Sequence, residues 1–436
     1  MRSDYLRRSI LGLAIPVTLQ AMLQSSFSLI DQIMIGQLGT AEVAAVGLAG
    51  KFVSLLTVLL GAVAGVSGIV LAQAVGAEDQ EAKCRGFYDG LLPALALAML
   101  FVVLCLTVPE TIMSLYTKDQ DTIRLAADYL RYLSLGFLPM AASLLLSTLL
   151  RCMQKADLPF YAGIAMAVLN TGLNFLLIFG RLGLPTMGVA GAALATAVSQ
   201  MANCLILWYL LLRCGGVPAW VVPRRNPMFY FILLPMLATE FAWSLGENVY
   251  GMIYGHLGTA PCAAMTLLNP VQALVIGALS GLSQAASILV GKELGSSDRH
   301  RAELTSKVVL RHGLVGSAIL SLLLLVIGKT YLSFYAVEQT VHLLAWQILG
   351  VYAAISPVKV QNMILGGILR SGGKTRLVMW IDLCGTWIFG VPLGVLAAFV
   401  WRLSIPWVYL LLSLEECVRL LIGVIVFRRG SWMQKL

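Results

Sequence analysis

The sequence predicts an all-α polytopic membrane protein, with twelve transmembrane helices in two six-helix repeats related by a pseudo-two-fold axis along the membrane normal. Three observations carry this. Of 436 residues, 59% are hydrophobic and 12% charged, with a mean hydropathy of +0.87, against about 45–50% apolar and about 25% charged in soluble proteins. Lys and Arg gather at alternate ends of the apolar runs, and the chain repeats itself at a shift of 219 residues. Twelve spans of about 20 residues would use roughly 240 residues, which leaves caps and short loops and excludes a separate soluble domain.

Apolar runs of membrane length, separated by charged or Gly/Pro-rich breaks, give the spans 10–35, 44–73, 90–109, 123–150, 159–180, 188–212, 228–255, 262–291, 311–330, 341–369, 377–400 and 406–427. The first resembles a signal peptide, with Arg7 and Arg8 ahead of an apolar stretch. Pro16, Gln20 and Gln24 interrupt that stretch and no small-residue cleavage site follows, so it reads as a retained helix. With the N-terminus inside, 21 of the 30 Lys and Arg fall on the cytoplasmic side and six opposite. That asymmetry follows the positive-inside rule and puts both termini in the cytoplasm, as in a bacterial inner (plasma) membrane protein. The formal charge of +9 is spread as single residues and pairs between apolar runs, not as a nucleic-acid-binding stripe.

The shift of 219 lays Pro16 on Pro235, Gly36 on Gly255 and Leu38-Gly39-Thr40 on Leu257-Gly258-Thr259. Without a gap it also lays Ala44-Ala45 on Ala263-Ala264, Gly76 on Gly295, Leu150-Arg151 on Leu369-Arg370 and Lys155 on Lys374. The repeats are expected at 1–212 and 228–436, joined by a cytoplasmic linker at 213–227 rich in Gly, Pro and Arg. An even number of helices per repeat sends both copies into the membrane in the same direction. Two like bundles facing each other is the plan of an alternating-access transporter, although duplication can also merely double a scaffold.

Several stretches resemble the multidrug and toxic compound extrusion (MATE) transporters over nearly the whole chain. They are Leu13-Ala14-Ile15-Pro16, Asp31, Gly36-Gln37-Leu38-Gly39 and Ala44-Ala45 in and after helix 1, and Ala72-Gln73-Ala74-Val75-Gly76-Ala77 at the end of helix 2. Asn170 and Asn174 precede Gly188-Val189-Ala190-Gly191-Ala192-Ala193. The second half adds Leu369-Arg370-Ser371-Gly372-Gly373-Lys374-Thr375 and Trp387 with Gly390-Val391-Pro392. The resemblance implies secondary active efflux of organic cations or other xenobiotics in exchange for protons or sodium ions. The sequence departs from the family at Asn174, where many members carry Asp, and near Lys359, where some branches carry an Asp in helix 10.

Ionisable groups at membrane depth cost roughly 2.5–3.5 kcal/mol each on insertion scales, so they call for a partner or a function. Helix 1 places Gln20, Gln24, Ser28 and Asp31 on one face. The other acids of the first half fall at or near loops, with Asp128 near the start of helix 4, which leaves Asp31 as the acid expected within a membrane helix. It is the expected ion-coupling group with Asn170 and Asn174, which offer acceptors and donors at i, i+4. Capping or snorkelling by Asp31, and interhelical glue by the two amides, are the structural alternatives. Thr196 and Gln200 would add polar ligands from helix 6.

Helix 7 aligns Glu240, Ser244 and Glu247, continued by Tyr250 and Tyr254. With Lys359 and Asp382 these would line an acidic, aromatic cavity suited to organic cations. A cap, or a pair with Lys359, is the alternative for either glutamate, and a structural ion pair the alternative for Asp382. An unpaired ammonium at membrane depth is costly, so Lys359 is expected to pair with Glu240, Glu247 or another second-half carboxylate. Glu415, Glu416 and Arg419 read as an intrahelical ion pair. Eight scattered cysteines without CxxC spacing argue against a metal site. Nothing resembles a P-loop or a nucleophile elbow, so neither catalysis nor a cofactor is expected. The expected partners are small amphiphilic organic substrates and membrane lipid, for a monomer. A lipid-linked oligosaccharide flippase of related fold is the rival, and a non-transporting receptor a third reading.

Overall fold

The computed structural model describes residues 12–23, 31, 34–35, 38, 40–116, 119–181, 186–214, 227–333, 338–430 and 432–433. Among these there is no strand, and nearly everything is helix. The first half holds α1 (Gly12–Leu23), α2 (Thr40–Gly76), α3 (Gln80–Thr107) and α4 (Pro109–Ser114). It continues with α5 (Gln120–Ser134), α6 (Phe137–Cys152), α7 (Asp157–Phe179) and α8 (Gly188–Arg213). The second half holds α9 (Pro227–His256), α10 (Thr259–Gly295), α11 (Arg299–Ser333) and α12 (Gln339–Ser371). It ends with α13 (Thr375–Val400) and α14 (Ile405–Arg428).

Nine of these helices are long and apolar enough to cross a membrane by themselves, and α5 with α6 makes a tenth, bent span. The short apolar α1 and the charge-bearing α14 complete the twelve expected spans. The chain divides into two compact units, Leu19–Phe229 and Tyr230–Leu436, the latter including Met1–Thr18. Within that second unit the Thr18 hydroxyl donates to the Ala278 carbonyl at 3.0 Å. Most of the expected linker at 213–227 lies outside the described residues.

The repeat is visible in the backbone. Helices α2 and α10 have the same length and begin and end 219 residues apart. The left-handed residues Glu78 and Gln154 recur as Ser297 and Gly373 at the same offset. Asp79 and Asp298, equally spaced, each accept a backbone N–H three residues on, from Ala82 at 2.9 Å and Arg301 at 3.0 Å.

Those caps correct two boundaries. Helix α3 starts at Gln80, well before 90, and α11 at Arg299, well before 311. A capping Asp and i,i+4 pairs such as Glu303–Lys307 (2.6 Å) hold a charged helical extension beyond the apolar run. The expected continuous helix 123–150 is instead broken by a 50° bend between α5 and α6. A Cβ on Gly136, at the break, would approach the Ala197 backbone to 2.9 Å, so the bend depends on α8 packing directly against a bare backbone.

Helix α13 contains wide π-type turns at Cys384–Gly390 and Leu396–Val400, a distortion often found at functional sites.

Candidate functional site

In the first half, α7 presents Asn170 and Asn174 one turn apart, both buried. The Asn174 amide donates to Asp31 Oδ1 at 2.6 Å. With its NH2 turned toward the carboxylate, as its neighbours require, Asn170 donates to the two Asp31 oxygens at 2.9 and 3.2 Å, and its carbonyl lies 3.3 Å from the Thr196 hydroxyl of α8. Apolar side chains of Ile35, Ile178 and Ala192 form a buried cluster beside this group, with Tyr129 packed against it. No cationic side chain lies within ion-pair distance of Asp31 among the described residues, and the buried Asn174 Oδ1 has no hydrogen-bond partner there. The group is therefore a carboxylate held by neutral donors, with a spare carbonyl beside it. Either a proton or a small cation would supply the missing positive charge.

The second half answers the same problem differently. Glu415, Glu416 and Arg419 of α14 are all more than nine-tenths buried. The Tyr250 hydroxyl donates to Glu415 Oε2 at 2.6 Å, and Arg419 meets Glu415 at 3.3 Å and Glu416 at 4.0 Å. Asn362 of α12 donates to Glu416 Oε2 at 2.8 Å, and Lys359 Nζ lies 3.9 Å from its other oxygen. Arg419 also donates to the Thr386 hydroxyl and, at 3.5 Å, to the Asp382 carbonyl.

The distorted α13 makes room for this cluster. A Cβ on Gly385 would come within 2.4 Å of Arg419 Nε, and one on Gly390 within 2.3 Å of both Glu415 Oε2 and the Tyr250 hydroxyl. Beside the cluster opens a cavity of about 290 Å³ whose walls include Glu247, Tyr254, Gln272, Tyr352, Lys359 and Tyr409. That is close to the lower size of small-molecule pockets, about 300 Å³. The Tyr254 and Tyr409 rings stand 6.5 Å apart, and Gln272 donates to the Tyr409 hydroxyl at 3.2 Å.

The structure thus brings Asp31, Asn170, Asn174 and Thr196 together, and separately Glu247, Tyr250, Tyr254 and Lys359. Gln200 follows Thr196 by one turn of α8, while Gln24 and Ser28 lie outside the described residues. Gln20 is taken up by Arg151, which donates to its carbonyl at 2.7 Å. Asp382 pairs with Arg370 at 3.3 Å, and Glu240 shares the electrostatic environment of that pair. Neither these two acids nor Ser244 lines the second-half cavity.

The role of α14 is larger than a local i,i+4 pair, because Glu415 and Glu416 reach Tyr250, Asn362 and Lys359 on two other helices. A signal for this lay in the repeat. The shift that lays Asp31 on Tyr250 also lays Thr196 on Glu415 and Gln200 on Arg419. The second half keeps an acid at the equivalent place, supplied by its last helix, and adds its own cation.

A half-buried carboxylate with no counter-ion among the described residues, a charge-compensated cavity, and two like six-helix repeats of bilayer-length helices define a polytopic membrane transporter. The MatE family model matches residues 16–176 and 235–396, one match in each repeat. The chain belongs to the MatE family. It is 25% identical to a probable multidrug resistance protein NorM of Photorhabdus laumondii, over 98% of this chain and 97% of that one. It is 26% identical to multidrug and toxin extrusion protein 1 of Xenopus tropicalis, over 91% and 70%. In fold it is similar to a MATE crystallised in complex with MaL6 (TM-score 0.88, 18% identity, 99% and 98% covered). It is likewise similar to a MOP superfamily transporter from Pyrococcus furiosus (TM-score 0.87, 18% identity, 99% and 97% covered).

Proposed function

We propose that this protein is a secondary active multidrug efflux transporter of a bacterial inner membrane, exchanging organic cations or other xenobiotics for protons or sodium ions by alternating access. The six-helix bundles at 1–212 and 228–436 are its moving halves, the segment 213–227 is a cytoplasmic linker, and both termini face the cytoplasm. It works as a monomer in membrane lipid and needs no cofactor.

The observation that carries this reading is Asp31, held by Asn170 and Asn174 with no cationic partner among the described residues. When its charge is cancelled by an entering ion, its charge-assisted bonds weaken by about half. The span expected at 10–35, which carries both Pro16 and Asp31, is then free to change its course near Pro16. The ion and the drug thereby acquire unequal affinities for the two facing states, which any coupling requires. The orphan Asn174 carbonyl suits a sodium ion, as a ligand, and a protonated Asp31, as an acceptor. The rival flippase reading needs a cationic cavity for a diphosphate, whereas this cavity has three glutamates on its wall against one lysine.

Proteoliposomes with separately imposed proton and sodium gradients test the assignment. Asp31→Asn is nearly isosteric, so the variant should insert and bind substrate normally and lose gradient-driven accumulation. Normal coupled flux through correctly inserted Asp31→Asn protein would move coupling to the second half.

A further inference from the structure

We propose that the second-half cavity is a zwitterion subsite, in which Lys359 receives the substrate's anionic group and Glu247 its cationic one. The proposal rests on the efflux reading and narrows its substrate class. Its basis is a charge inventory of the cavity wall.

Glu415 and Glu416 contribute to that wall, yet their bonding capacity is largely spent. Glu415 is held by Tyr250 and Arg419. Glu416 is held by Asn362 and Arg419. Both carboxylates have side chains only 8% exposed. Lys359 is different: its side chain is 35% exposed, and its one ion pair among the described residues spans 3.9 Å, well beyond the roughly 2.7–2.9 Å of a formed ammonium–carboxylate hydrogen bond. An ammonium has three donors, so Lys359 retains donors for a guest. Glu247 sits on the exposed side of α9 and has no hydrogen bond or ion pair among the described residues.

Once the internal pairs are set aside, the guest meets one available carboxylate, one available ammonium and the tilted rings of Tyr254 and Tyr409. A simple organic cation gains from Glu247 and the rings but is opposed by Lys359. A simple anion meets the reverse. An aromatic molecule with an amine at one end and a carboxylate at the other satisfies both groups at once, and about 290 Å³ accommodates its body. Lys359 thereby selects on the substrate's charge pattern more than on its shape.

A matched pair of probes separates the effects: an aromatic amino-carboxylic acid, such as a piperazinyl quinolone, and its methyl ester, which has the same body but is a plain cation. Binding is measured by calorimetry on the purified full chain, and transport in proteoliposomes. The wild type should bind the acid about tenfold more tightly than the ester, the equivalent of one charge contact of about 1.4 kcal/mol. Lys359→Met should abolish or reverse that preference, weakening binding and transport of the acid far more than of the ester. Lys359→Arg should keep the preference, and Glu247→Gln should weaken both probes.

Equal loss of both probes in Lys359→Met, or a wild type that does not distinguish them, would overturn the zwitterion proposal and leave efflux standing. Transport of neither probe by the wild type would overturn the efflux reading itself. Should Lys359→Met fail to fold, the wild-type preference together with Lys359→Arg and Glu247→Gln decides the question.

Discussion

Replacing Arg419 by Met should destabilise the protein far more than removing an exposed arginine. Arg419 is 9% exposed and is shared by two carboxylates, at 3.3 and 4.0 Å, besides Thr386 and the Asp382 carbonyl. Met fills much of the same volume, so the chief effect is electrostatic. Two adjacent buried glutamates would be left with Tyr250, Asn362 and a Lys359 at 3.9 Å. Breaking a buried pair by removing one partner costs about 3–5 kcal/mol. Arg131 is the internal control: it pairs with Glu110 and Asp128, but its side chain is 41% exposed, and such pairs are worth about 0–1 kcal/mol. Equilibrium unfolding in mixed detergent micelles reads both. The double variant Arg419→Met with Glu415→Gln should recover a large part of the loss, because the stranded charge is gone. An Arg419→Met cost no greater than that of Arg131→Met, or a double variant worse than the single one, would refute the view that α14 holds a charge-compensated core.

Gly390→Ala should disconnect Tyr250 from Glu415, since the new methyl falls 2.3 Å from each; lowered thermal stability with distorted tyrosine absorbance would record it. Gly136→Ala should straighten or loosen the α5–α6 bend, because its Cβ meets α8 backbone instead of a side chain that can turn away; faster proteolysis or amide exchange at 134–137 checks this. In a cysteine-free background, a cysteine at Arg402 should react with an impermeant maleimide from outside the cell and one at Ser297 should not. Labelling of both from the same side would contradict the twelve-span topology.

Most of the fold was legible because a bilayer imposes length and apolarity on whatever crosses it, and duplication supplied an internal check at every boundary. The breaks were not. Leu135-Gly136-Phe137 is as apolar as its surroundings, and only the approach of Ala197 from another helix explains the bend. The first turns of α3 and α11 read as loops, because their charged residues are stabilised by caps and ion pairs outside the apolar run.

At the site, Asp31 and the two asparagines stood out as polar groups at helical spacing within apolar runs. Glu415 and Arg419 looked self-sufficient at i, i+4, so nothing in their local sequence pointed to Tyr250, 165 positions away. Lys359 was expected to find a carboxylate, and the one it meets is Glu416 rather than Glu240 or Glu247.

The exchange of an acid between equivalent helices has a consequence for how substitutions should travel together among relatives. The acid at 31 in the first half has Tyr at its counterpart 250, and the acid at 415 has Thr at its counterpart 196. Position 250 faces 415 at hydrogen-bond distance, so acids at both would set two like charges against each other in a buried spot. Across an alignment, an Asp or Glu at 250 should therefore accompany a neutral residue at 415. A cation at 419 should follow the acid at 415 and not the one at 250. Column-by-column tallies would score each of these positions as variable, while the charge they deliver to one point in space stays constant.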